Sequence, residues 1–161
     1  MGSAIIHVVH HNNWANSALV DFLAALPDDR LDLTSPGNYG TIRLTLNHLV
    51  SSQVRYVSAA TSEAAPEGLP RRGEWSGFEA IRNGLAWTAP RLVVLGETAT
   101  EAEDVEWVHP GGVEHAKLAT VVVQAIHHAQ EHRTNITTIL AAAGIEAPEL
   151  SAWAYGEVTW G

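Results

Sequence analysis

The chain has no cysteine at all. Disulfides, thiolate metal sites and a cysteine nucleophile are therefore excluded together, and any sulfur chemistry has to use a sulfur brought by a substrate. Basic residues are also scarce: nine Lys and Arg stand against eighteen Asp and Glu, a formal charge of −9. That is the wrong sign for a surface that neutralises phosphates or anionic lipid, so neither nucleic acid nor a membrane is expected as a partner. No apolar run approaches the roughly 20 residues of a membrane span. His7, His10 and His11 interrupt the apolar stretch Ile5 to Val9, leaving no secretory signal, and the cytoplasm is the expected compartment. There is no internal repeat and no low-complexity tract.

What remains is the composition of one folded domain spanning residues 1–161, with 46% apolar and 17% charged residues. Four segments repeat apolar residues at helical spacing, which predicts an all-α four-helix bundle. Helix one runs from Ile5 to Leu26, with Ile5, Val8, Ala15, Leu19, Phe22, Leu23 and Leu26 on its stripe and Pro27 ending it. Asn12 interrupts that stripe and Asn16 lies one turn on, so both need polar partners. Turn formers fill residues 34–40, and Thr41 is placed to cap helix two, which continues to about Ala60 with Ile42, Leu46, Leu49 and Val57 inward. His48 projects from an adjoining face beside the small Thr45 and Ser52.

An exposed loop, 62–73, leads to Ser76 as the expected cap of helix three. There Phe78, Ile81, Leu85, Leu92 and Leu95 keep the period, Pro90 is expected to kink or split the helix near Ala86, and Gly96 to end it. Residues 105–109 and 113–117 flank Pro110-Gly111-Gly112 and suit a short β-hairpin between helices three and four. Helix four runs from Leu118 to Ala143, with Gly144 as its terminating residue. A tail carrying Trp153 and Tyr155 folds back over the bundle. The six tryptophans read mainly as packing residues.

Helix four contains His127-His128-Ala129-Gln130-Glu131-His132-Arg133. Residues four apart sit on one helical face, so His128 and His132 can reach a common point. Their apolar surroundings, Val121, Val122, Ala125, Ile136 and Ile139, make unpartnered imidazoles costly. A divalent ion with His48 as third ligand would satisfy all three and leave a position for water or substrate. His7, His10, His11, His109 and His115 are not assigned as ligands. The literal H-x-x-E-H pattern of inverted zinc peptidases fits a chain this small poorly, and a di-metal carboxylate site would need acids that helix two lacks. No haem attachment motif is present.

His48, the His128 and His132 pair with Arg133 after it, Gly40-Thr41-Ile42-Arg43 opening helix two, Trp14-Ala15-Asn16 and the closing Trp153-Ala154-Tyr155-Gly156 together resemble the DinB-like family of metal-binding four-helix proteins. The resemblance spans almost the whole chain. It implies an up-down-down-up bundle, zinc or nickel held by His48, His128 and His132, a homodimer, and a thiol-linked role. Relatives include transferases that join mycothiol or bacillithiol to electrophiles and a mycothiol-dependent maleylpyruvate isomerase. Asn135 stands where many relatives have glutamine, and Glu131 where histidine or a small residue is common; such neighbours orient ligand imidazoles and tune the metal.

The resulting expectation is a metal-dependent thiol S-transferase or thiol-dependent isomerase acting on a small molecule. Glu131 and Asn12 are the candidates for orienting a proton or substrate, and Arg133 for binding a carboxylate of the substrate or thiol cofactor. A metal-stabilised structural or interaction protein and a metal-assisted hydrolase are the competing readings.

Overall fold

The computed structural model describes residues 4–109 and 111–160, with the side chains of residues 107, 109 and 160 outside the description. Helices α1 (Ala4–Ala24), α2 (Ile42–Thr61), α3 (Gly77–Thr98) and α4 (Leu118–Ala142) form the bundle. A 3-10 turn (Asp28–Asp32) precedes α2, strands β1 (Asp104–His109) and β2 (Gly112–Lys117) form the hairpin, and α5 (Ala152–Trp160) closes the chain. The tail is thus itself helical.

Cross-helix pairs fix the directions. Asn47 meets Ser76, Gln53 meets Thr88 and Glu63 meets Arg91, so α2 and α3 run parallel. Asn13 bonds the Ala89 carbonyl and Asp21 pairs with Arg82, so α1 opposes α3. His48 lies against His132 and Tyr56 against His128, so α4 opposes α2. The bundle is up-down-down-up. The parallel α2–α3 connection is why the 62–76 loop has to return the chain along the bundle.

Each boundary has a local cause. Thr41 accepts the Leu44 amide at 3.3 Å and starts α2 as expected. Ser76 precedes α3 but does not cap it; its hydroxyl takes the Arg71 amide and its own amide donates to Asn47 Oδ1. Neither Pro90 nor Gly96 ends or splits α3, which continues to Thr98. Gly96 instead provides closeness: a Cβ there would come within 2.8 Å of Val9 Cγ2. Gly144, at φ +72°, terminates α4, with the Ile145 amide returning to the Leu140 carbonyl.

The first turns of α1 are rotated from the expected phase. Ile5 and Val8 are exposed, whereas Ile6 and Val9 are buried, because the contact with Gly96 selects Val9. One end of the core gathers Leu19, Leu23, Leu46, Ile81, Ile136 and Leu140. The other places Val105 of the hairpin against Leu95, Leu118 and Val121. The hairpin is antiparallel with Val108 opposite Val113, and Pro110 of its expected turn lies outside the described residues.

Candidate metal centre

The Thr41 cap sets the phase of α2 so that His48, two turns in, faces α4. Antiparallel packing then brings it to His128 and His132. His128 Nε2 lies 3.1 Å from His48 Nε2 and 3.1 Å from His132 Nε2. One nitrogen from each of the three rings falls within 4.8 Å of the others, and among the described residues this is the one cluster of metal-ligating side chains so arranged. Zinc bonds of about 2.0–2.1 Å at a tetrahedral angle would space such nitrogens about 3.3 Å apart. The donor set therefore fits a divalent ion.

Electrostatics favour ligand-ready rings. Burial, reinforced by His132, Arg72 and Arg55, lowers the His48 pKa to about 4. Burial with His132 and His48 does the same for His128, also to about 4. His132 is lowered by burial and raised by the neighbouring Glu131 charge. Neutral imidazole is the form that ligates metal. His48 Nδ1 is buried without a hydrogen-bond partner, whereas His132 Nδ1 lies 3.3 Å from the Asn135 amide. With the Asn135 oxygen turned toward Nδ1, that ring donates there and keeps the Nε2 lone pair for the ion.

Two residues at the site were not anticipated. The Tyr39 ring stacks on His48 at 4.2 Å and meets His132 edge-on at 5.4 Å. It belongs to the turn before α2, where no periodicity marks an inward side chain. Tyr56 meets His128 edge-on at 5.7 Å, two turns beyond His48 on α2, a spacing that could have signalled it.

The other candidates lie elsewhere. Asn12 is fully buried; its oxygen accepts from Arg133 Nη1 at 2.8 Å and its amide is directed at Gln53 Oε1 at 3.4 Å. Arg133, 2% exposed, also donates to Asn16 through Nη1 and to Gln130 through Nη2. Asn12 and Arg133 thus belong to an internal polar layer with Asn16, Gln53 and Thr88, from which Arg133 also reaches the exposed Gln130. Glu131 is exposed at the rim next to His132.

The DinB family model matches residues 1–159. The chain belongs to the DinB family. The histidine cluster is compatible with a metal-binding member of that family. No curated protein matches the chain. Among the described residues no helix is long and apolar enough to cross a membrane.

Proposed function

We propose that this DinB-family protein is a metal-dependent enzyme that uses a small thiol, of the mycothiol or bacillithiol kind, for S-transfer to an electrophile or for thiol-dependent isomerisation. The observation that carries the reading is three converging imidazoles from two helices with, among the described residues, no fourth ligating side chain grouped with them. Three protein ligands leave room for an exogenous one, the arrangement of catalytic rather than structural sites. A purely structural ion would more commonly be closed by four protein ligands. His48, His128 and His132 would hold zinc or nickel, which supplies a Lewis acid that lowers the pKa of a thiol or water. With no cysteine in the chain, the sulfur comes from the ligand.

The protein's own side chains do the rest. Tyr39, stacked on His48 and edge-on to His132, covers two of the three rings and limits water there. Asn135 fixes the orientation of His132. Glu131, exposed at the rim, receives the proton released when the thiol ionises and passes it to solvent. Asn12 acts only indirectly, through the buried layer that positions α4. The working form is a cytoplasmic homodimer that binds small molecules and neither nucleic acid nor membrane.

The test combines elemental analysis of the purified protein with a thermal-shift screen of low-molecular-weight thiols. One zinc or nickel ion per chain and a thiol-specific rise in melting temperature are expected, by linkage of binding to folding. His132→Ala should lose both while keeping its helical circular dichroism. A protein that holds the ion yet responds to no thiol would overturn the thiol reading.

A further inference from the structure

Arg133 is a buried cation without a counter-charge. Its Nη1 donates to Asn12 and Asn16, its Nη2 to Gln130 Oε1 at 2.8 Å, and its Nε is buried with no partner. Among the described residues no carboxylate pairs with it. Guanidinium remains charged in proteins, and a buried charge satisfied only by neutral amides is unusual. Arg133 follows His132 by one residue, about 100° around the helix, and so faces away from the imidazoles. It forms part of the wall of a separate cavity of about 440 Å³ between α1, α4 and residues 147–152. None of the three imidazoles lines that cavity.

The walls differ in character. On α4, Gln130, Thr134 and Thr137 share one face and line the cavity with polar groups, Gln130 in contact with the guanidinium. Opposite them, Ala147, Pro148 and Leu150 are apolar, and the contact of His11 Nε2 with the Leu150 carbonyl at 2.8 Å ties this segment to α1. Glu149 is on the same side, its carboxylate accepting the Ser151 amide at 2.9 Å. The Nε–Nη2 edge is the side of a guanidinium that matches a carboxylate. Here it has one unpartnered donor and one held by Gln130, an exposed side chain whose amide also donates to Thr134 at 3.3 Å.

We infer that this cavity is a second ligand site, distinct from the metal centre, that takes a small monocarboxylate with an apolar body. Its carboxylate replaces the Gln130 oxygen on the Nε–Nη2 edge of Arg133. Its body lies on Ala147, Pro148 and Leu150. Glu149 repels a second negative charge, which selects monoanions over dianions. The site is independent of the thiol reading, because it shares no ligand with the metal centre.

The probe is benzoate, titrated into chelator-treated and metal-loaded full-length protein, with benzamide and inorganic phosphate as controls. Saturable 1:1 benzoate binding is expected in both forms, with benzamide, which lacks the charge, and phosphate, whose second charge Glu149 repels, each at least about tenfold weaker. In NMR spectra the Arg133 Nε–H and the Gln130 side-chain amide should shift on binding. Thr137→Trp, which fills the cavity without replacing a guanidinium partner, should weaken benzoate binding by about tenfold or more. Glu149→Gln should strengthen it. Equal binding of benzamide or phosphate, an unmoved Arg133 Nε–H, binding confined to metal-loaded protein, or indifference to either substitution would overturn the assignment.

Discussion

Three imidazoles packed together in a half-buried setting have one comfortable state without a cation, the neutral one. His48 and His128 titrate at about 4 rather than 6.5, chiefly because burial penalises their charged forms. Between those pH values the unfolded chain binds more protons than the folded one. The contribution to stability is therefore intact above pH 6.5 and is lost as pH falls toward 4. Denaturant unfolding of chelator-treated protein should show a falling midpoint across that interval, and His128→Gln, which cannot titrate, should flatten the fall. An unchanged slope in the variant would contradict the assignment. The buried amide layer gives a second expectation. Gln53 accepts from Asn12 and Asn16 and donates to Thr88 at 2.7 Å. Gln53→Leu strands two buried amides and should cost about 1–3 kcal/mol in chemical denaturation. That Asn12 and Asn16 needed polar company was legible from their place on an apolar stripe. Which residues supplied it was not, because Gln53 and Arg133 lie 37 to 121 positions away in the chain.

At the scale of elements, periodicity located all four bundle helices, while the details it missed were decided by contacts between them. Val8 and Val9 are chemically identical, and the gap left by Gly96 together with packing on Val57, Leu92 and Ala125 goes with Val9 turning inward. Ser76 has a good capping side chain, but Arg71 claims its hydroxyl. Pro90 deletes one backbone hydrogen bond, and packing of α3 against α1 and α2 keeps the helix continuous across it. Gly84 makes the close approach of α3 to α2 testable. A Cβ there would meet Val50 Cγ1 at 2.8 Å and Pro70 Cδ at 3.0 Å. In a solvent-facing helix Gly→Ala stabilises by about 1 kcal/mol. Gly84→Ala should instead destabilise by about 1–3 kcal/mol through overpacking, and adding Val50→Ala should recover part of the loss in a double-mutant cycle. A stabilised single variant would show that the two helices are not in close contact.

The whole molecule depends on topology. Parallel α2 and α3, joined by the 62–76 loop, leave α4 to run antiparallel beside α2, and this alone carries residue 48 to residues 128 and 132. The three ligand candidates were legible because two share a helical face and the third sits on a separate amphipathic helix. The tyrosines beside them were hidden by a turn and by ambiguous phase, and the closing tail gave too short a pattern to reveal α5. X-ray absorption of the zinc-loaded protein reads the coordination of the ion itself. Three imidazole nitrogens and one exchangeable oxygen at about 2.0–2.1 Å are expected, with the oxygen replaced by a sulfur at about 2.3 Å when a small thiol is added. Four protein ligands that no thiol displaces, or zinc bound without the three histidines, would contradict a three-histidine centre open to thiol.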